Sequence, residues 1–490
     1  QQIQKLNFVY QQIRNNYVDD VPLEPLVEEA IKATLKELDP HSQYLDREAM
    51  ESLSRRLSGE YAGIGIRFLM HKDTLVVRSV IPSSPAHKAG ILPNDRIISV
   101  DNQTITGITS DSVATLLRGN NDSRLSIRVV RRGKSSPVNI NLRRTNIEQS
   151  AVSASYRIGD VGYIAISAFS KPLANEFYAA YKNLGDIKSL ILDLRNNGGG
   201  ALTAAIDLTS MFLKKGELIV STEGRDAKHD FCKTQDRISL TIPLVVIINE
   251  NSASASEIFA GAIQDHDRGV VVGHTSFGKG LVQKVIDLKD GTGISLTIAR
   301  YKTPSGRTIQ RPYKMGKGEE YMQDSLRYAH PDSIPYDSKL IFRTLHSGRK
   351  VYGGGGITPD IYISTDSIKL SASLIDAYNS AAFEHTVIDY CDMVNPDKLK
   401  ELYPTIEEFN TRFMADAELL DIFYLWAGNT EFSDTDNRFI RTMLKTVVAE
   451  MVYGENARHY IYGIGFDHTL QQSISIAANE ELMHKYLTQH

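Results

Sequence analysis

Apolar positions along the chain change their period several times, and each change marks a different kind of element. Ile3, Leu6, Val9 and Ile13 recur at helical spacing, and Val27, Ile31, Leu35 and Leu38 form a second stripe. Pro22 and Pro25 punctuate the gap, and Asp39-Pro40 ends the second stripe, because proline disfavours a helical residue before it. Residues 1 to about 40 therefore predict a helical platform or dimerisation arm. From Tyr61 the period shortens. Ala62 to Phe68 alternates like one strand, short strands follow up to Leu142, and a helix is predicted from Ser110 to Arg118. From Val161 the pattern becomes α/β. The runs 162–166, 190–194, 244–248 and 269–272 are almost wholly apolar, as strands buried on both faces are. Helices are predicted at 172–184, at 201–213 and after Ser256. Residues 293–299 and 339–345 read as strands, and 312–338 as a polar surface excursion. Beyond about 366 the chain reads as helical throughout, with Phe409, Phe413, Leu419, Leu420 and Phe423 as a stripe and no evident site.

Composition narrows the class. A chain of 490 residues is too long for one core, and 42% apolar with 23% charged residues is the balance of a soluble globular protein. A net charge of −4 and the lack of any dense Lys/Arg block argue against nucleic acid as a partner. No apolar run reaches membrane-spanning length, and the first residues lack a signal peptide's apolar core. The chain begins at Gln1, which leaves room for an export signal removed upstream. Cys232 and Cys391 allow at most one bridge and settle nothing about compartment.

Candidate chemistry concentrates between Pro243 and Gln283. Ser252-Ala-Ser-Ala-Ser256 occupies a strand-to-helix turn, where α/β folds keep reactive groups, and Lys279 lies between glycines after the next strand. Serines in a tight turn and one shielded lysine are the parts of a Ser-Lys nucleophilic site, since burial disfavours the ammonium and frees the amine as a base. Two rivals fit less well. Gly273 to Lys279 matches the first seven positions of a P-loop, but Gly280 replaces the hydroxyl residue that would hold Mg²⁺, and strand-like residues follow. A Ser-His-Asp set using His266 or His274 with Asp265 or Asp267 rests on sequence proximity alone, and Ser254 lacks the Gly-x-Ser-x-Gly elbow. Gly198 to Gly200, between a strand and a helix, are expected to leave bare N–H groups suited to a phosphate or an oxyanion.

Two resemblances sharpen this picture. Residues 60–144, and above all SPAHKAGILPNDRIISVDN (84–102), resemble a PDZ domain. In such a module Gly63, Ile64, Gly65 and Ile66 would receive a peptide's C-terminus, the glycines letting N–H groups converge on a carboxylate. DLRNNGGGALT (193–203), NSASASEI (251–258) and FGKGLVQ (277–283) resemble the active-site motifs of the carboxyl-terminal processing, or tail-specific, serine proteases; ELDPHSQYL (37–45), TPSGRTIQ (303–310) and GGITPD (355–360) are similar to that family too. The resemblance implies a multidomain α+β chain: an N-terminal helical segment (1–59), a PDZ domain (60–144), a crotonase-like protease core (145–365) and a helical C-terminal domain (366–490). It further implies Ser254 as nucleophile, Lys279 as general base, Gln283 as the residue orienting the lysine, and the Gly199 and Ala255 N–H groups as the oxyanion hole. Ser252 and Ser256 stand as fallback nucleophiles, with helix capping as their ordinary role. Many family members have proline where this chain has Gly198. Neither a cofactor nor a metal is expected. The expected partners are protein or peptide substrates presenting C-terminal tails, with homo-oligomerisation left open and a periplasmic or cell-envelope location. A peptide-binding scaffold with an inactive core is the alternative.

Overall fold

The computed structural model of the chain describes residues 1–225, 228–322, 338–364 and 370–488. The predicted N-terminal stripes form helices α1 (Gln2–Asn16) and α2 (Leu23–Lys36), followed by strand β1 (Gln43–Leu45) and helix α3 (Arg47–Ser58). Helix α3 begins where the Asp46 carboxylate accepts the Ala49 N–H and ends at Gly59 in the left-handed region.

The next group comprises β2 (Glu60–Gly63), β3 (Ile66–His71), β4 (Thr74–Val80), α4 (Pro85–Lys88), β5 (Arg96–Val100), β6 (Gln103–Thr104), α5 (Ser110–Leu117), β7 (Arg124–Val130), β8 (Val138–Arg143) and β9 (Thr145–Glu148). β2 and β9 pair antiparallel and bracket the rest, whose main sheet runs β3-β4-β5-β7-β8. The single strand expected over 62–68 is broken at Ile64-Gly65. Gly65 has φ +81°, and a Cβ there would stand 2.2 Å from that of Ser84, so the chain turns between two sheets at a point only glycine fits.

The core holds β10 (Val152–Ile158), β11 (Val161–Ile166), α6 (Leu173–Asn183), β12 (Ser189–Asp193), α7 (Leu202–Thr209), β13 (Leu218–Gly224), β14 (His229–Lys233), β15 (Leu244–Ile248), α8 (Ala255–Asp265), β16 (Val270–Gly273), β17 (Leu281–Asp287), β18 (Gly293–Lys302), α9 (Gly318–Met322), β19 (Ile341–Arg343), β20 (Lys350–Tyr352) and β21 (Ile361–Tyr362). One sheet runs β10-β11-β12-β15-β16-β21, parallel from β11 onward. In the second, β1, β13 and β17 all pair with β18, so the N-terminal segment is stitched into the core. Alternate residues of the apolar runs face opposite layers: Leu244, Val246 and Ile248 pack with α6 to α8, while Val245 and Ile247 pack with Leu470, Ile476 and Met483.

Those last residues belong to the C-terminal group: α10 (Ala372–Asn379), α11 (Ala382–Met393), α12 (Pro396–Leu402), α13 (Ile406–Arg412), α14 (Ala417–Trp426), α15 (Asp434–Tyr453), α16 (Glu455–Gly465), α17 (His468–Ala477) and α18 (Glu480–Thr488). The Phe409, Phe413, Leu419, Leu420 and Phe423 stripe is buried in a cluster that also takes Val76 from β4. Cys232 and Cys391 are free thiols. Among the described residues no helix is long and apolar enough to cross a membrane. Most of the predicted excursion at 312–338, namely 323–337, lies outside the described residues, as does the expected boundary at 365–366. The part before it is not a mere surface excursion. Tyr321 in α9 is 4% exposed, packed beneath the Lys279 loop, its hydroxyl donating to the Gly278 carbonyl at 3.2 Å.

Candidate active site

Ser254 sits between β15 and α8, at the carboxyl end of the parallel sheet, with φ 56° and ψ −114°. A non-glycine residue held there costs roughly 1–3 kcal/mol, so the surrounding bonds must impose it. Glu257, one turn into α8, supplies much of that restraint. It is 1% exposed, and one carboxylate oxygen accepts the Ser254 N–H at 2.8 Å and the Lys279 N–H at 2.9 Å. The other oxygen accepts the Ser276 hydroxyl at 2.5 Å and the Gly278 N–H at 2.7 Å. Burial pushes this carboxyl up, and the four donors pull it back only in part. Tyr301 works from the carbonyl side: its hydroxyl lies 2.6 Å from the Lys279 carbonyl and 3.3 Å from that of Ser254. One carboxylate and one phenol thus hold the two backbones together.

Lys279 is half-buried. Burial lowers its pKa below 10.5, and the Arg56 charge lowers it further. Beside it lies the Asp39-Pro-His-Ser turn. Asp39 accepts the N–H groups of His41 and Ser42 at 2.9 Å and the Thr297 hydroxyl at 3.1 Å, anchoring the turn to β18. His41 packs edge-on to Tyr321, and burial, then the Lys279 charge, drives its pKa down to about 4. Gln283 donates to the Thr297 hydroxyl at 3.3 Å. Among the described residues, the side chains of Ser254, Lys279 and Gln283 make no hydrogen bond to one another.

The glycine turn lies against the serine. A Cβ on Gly199, φ +93°, would come within 2.8 Å of the Ser254 Cβ and 2.9 Å of the Ala255 nitrogen. The expectation of bare donors needs correction here, because the Gly199 N–H donates to Asn197 Oδ1 at 2.9 Å. Asn197 is fully buried and its amide also donates to the Ile166 carbonyl, so it satisfies a donor that burial would otherwise strand. The Ala255 N–H, in the first turn of α8, has no protein partner among the described residues. Ser252 and Ser256 are fully buried and donate to the Leu194 and Asn197 carbonyls, both at 2.8 Å; they brace the turn, and the N-cap position expected of them falls to Ser254.

Neither rival reading is supported by the geometry. Gly280 leads into strand β17, not a helix. His266 is at the opposite end of α8, and His274 bonds the Ile363 carbonyl at 2.9 Å.

Gly63, Ile64, Gly65 and Ile66 line a cavity of about 410 Å³ running along β3, the outer strand of its sheet. Ala114 and Leu117 of α5 form one wall, and Arg55, Arg56 and Arg118 supply positive charge.

Three family models match: the PDZ domain over residues 62–142, peptidase family S41 over 160–315, and the activating protease CtpB N-terminal domain over 1–49. The carboxy-terminal-processing protease of Bartonella bacilliformis is 38% identical over 319 residues, covering 63% of this chain and 73% of that protein. The chain belongs to the carboxy-terminal processing protease family. It is a serine-type peptidase with a PDZ domain. The carboxy-terminal processing protease CtpA of Bacillus subtilis is 32% identical, over 71% of this chain and 74% of that one. Among solved structures, the photosystem II D1 C-terminal processing protease is 30% identical, with a TM-score of 0.36 over 63% of this chain and 84% of that chain.

Within this carboxy-terminal processing protease, sequence reasoning passed over Glu257, Asn197, Tyr301, Asp39 and His41 as members of the site. Glu257 carried one available signal, its place three residues after Ser254, as in a capping box. Asn197, Asp39 and His41 lie within the family-like motifs, which give them no role, and Tyr301 gave no signal, because long-range pairing brings it in.

Proposed function

We propose that this peptidase cleaves proteins near their C-termini with Ser254 as nucleophile, Lys279 as general base and Gln283 orienting the lysine. The observation that carries this reading is the shared bracket of Glu257 and Tyr301, which holds the Ser254 and Lys279 backbones side by side with the lysine's pKa depressed. Neutral Lys279 takes the Ser254 proton as the oxygen attacks the scissile carbonyl. The resulting ammonium then protonates the leaving amine, and water releases the acyl group by the same route in reverse. The Ala255 N–H faces the oxyanion, joined by that of Gly199 once it leaves Asn197; a donor of this kind is worth about 10²–10³ in kcat.

The groove along β3 takes the substrate's tail as an added strand, its carboxylate meeting the arginines. Arg56 lines that groove and also depresses Lys279, so a carboxylate on Arg56 would by itself raise the lysine's pKa, and activation comes from the change in register. Tail binding brings Gln283 off Thr297 and the three side chains into register. The exposed apolar residues of α1, Ile3, Leu6, Phe8 and Val9, support self-association through this helix. An extracytoplasmic location completes the reading, tested by fractionating the cells that make the protein.

The deciding experiment compares casein turnover by the unaltered chain with Ser254→Ala and Lys279→Ala. Both substitutions are expected to abolish it, and full activity in either one would remove that residue from the mechanism. Deleting residues 60–144 is expected to cripple cleavage of tailed proteins far more than of short peptides. Equal losses would sink the gating step.

A further inference from the structure

The end of α8 opposite Ser254 holds side chains that the peptidase reading leaves unused. His266, the C-cap residue, is 7% exposed. Its Nε2 lies 2.8 Å from the Leu218 carbonyl oxygen. A carbonyl only accepts, so Nε2 carries a proton, and in the neutral ring Nδ1 presents a lone pair. That Nδ1 is buried without any hydrogen-bond partner. A buried acceptor left unpaired is rare enough in a folded chain to need a cause. Glu217 Oε2 stands 4.0 Å from it, and one ligand atom each from Glu217, His266 and His346 lie within 4.8 Å of one another. We propose that Glu217, His266 and His346 bind one divalent transition-metal ion, with zinc the best match.

The donor set fits that class. Two imidazole nitrogens and one carboxylate are the borderline ligands that zinc takes, with water completing a tetrahedron. Metal-ligating histidines usually donate their second ring N–H to a carbonyl or carboxylate, which fixes the tautomer, and His266 already does so. Glu217 is steadied by the Lys214 N–H at 2.9 Å, and the backbone of His346 by its N–H to Asp267 at 3.1 Å. Metal–ligand distances of about 2.0–2.2 Å draw the donors closer than they now stand. Exposed His346 is the side chain free to swing inward, while Glu217 Oε2 keeps a second lone pair beside its bond from the Lys214 N–H. The negative end of the α8 dipole also favours a cation there.

The ion would join three elements: the start of β13, the end of α8 and the β19–β20 hairpin. Helix α8 is 11 residues long, or about 16 Å, so the ion stands clear of Ser254 and takes no part in peptide cleavage. Its role is to fasten the far end of the helix that carries the serine.

The test uses tag-free full-length chain, stripped with a chelator and dialysed. Zn²⁺ is titrated by calorimetry, and Co²⁺ by the visible band of its tetrahedral complexes. One equivalent with micromolar or tighter affinity is expected, together with a rise in Tm on saturation. His346→Ala, altered at an exposed side chain, is expected to weaken binding about tenfold or more and to remove the tetrahedral band, while casein turnover without metal stays unchanged; Glu217→Gln should weaken binding likewise. The chain has 13 histidines, so these variants separate this site from any other. No saturable binding, or binding unaltered in His346→Ala, overturns the proposal.

Discussion

Lys279, the general base we propose, shows how burial and a neighbouring charge act on one side chain. Because burial and Arg56 both oppose its ammonium, the neutral amine accumulates as pH rises through a pKa below 10.5. Cleavage of a short peptide should climb with pH, with an inflection below that value. Arg56→Gln removes one opposing charge, so the inflection should move to higher pH; an unmoved profile would show that Arg56 has no hold on the base. His41 makes the complementary case through stability. Its folded pKa is about 4 against an ordinary 6.5, so between those values the unfolded chain binds a proton that the folded chain refuses. Stability is therefore lost as pH falls through that window, by up to roughly 3 kcal/mol. His41→Gln should flatten the fall in urea midpoint between neutral and mildly acidic pH.

Among elements, α8 matters most. Each of its residues from Ala255 to Asp265 is buried, and its first turn links Ser254 to the Lys279 loop through Glu257. In Glu257→Gln an amide nitrogen faces N–H donors where an oxygen accepted them. Each stranded donor costs roughly 1–3 kcal/mol. A matching loss in urea stability is expected, with a fall in kcat larger than any change in KM; a kcat that survived would make Glu257 merely structural. Tyr301→Phe is milder, at about 1 kcal/mol for one hydrogen bond. Gly199 and Gly200 of the glycine turn are intolerant for a steric reason, whereas Gly198 faces open space. Gly199→Ala drives a Cβ to 2.7 Å from the Ala253 carbonyl oxygen at a positive φ, so activity should be lost even where circular dichroism shows a folded chain.

For the whole molecule, the C-terminal helices do more than cover the sheet. They grip the PDZ sheet through Arg67 with Glu455, Arg96 with Asp392, and Arg78 with Glu450 at 2.7 Å, while Arg458 holds the same Glu450 at 2.7 Å. His71 Nδ1 meets His385 Nδ1 at 2.9 Å, and its Nε2 meets Asp389 at 3.0 Å. Glu450 is nearly buried, and removing its charge leaves Arg78 and Arg458 to share Glu384, at 3.9 and 3.4 Å, as their remaining acidic partner among the described residues. Glu450→Gln should loosen the PDZ module, read as faster hydrogen exchange in β3 to β5 with exchange in α8 unchanged. Identical exchange in β3 to β5 would mean that apolar packing alone holds the interface.

How much of this was legible in the chain follows from the range of the forces involved. Residue period and turn residues act locally, so the apolar runs at 190–194 and 244–248, the helix expected after Ser256 (it begins at Ala255) and the C-terminal stripes could be read directly. The candidate serine, the candidate lysine and the glycine turn stand out in the chain because each lies in a short motif. The strain at Ser254 was not, since four donors on one buried carboxylate impose it where no elbow glycine stands. Nor was the hold of Asn197 on Gly199, or the reach of Asp39 across to Thr297, because no local pattern records which distant side chain fills a buried hydrogen bond. Tertiary packing set those partners, and through them whether Ser254, Lys279 and Gln283 stand in register.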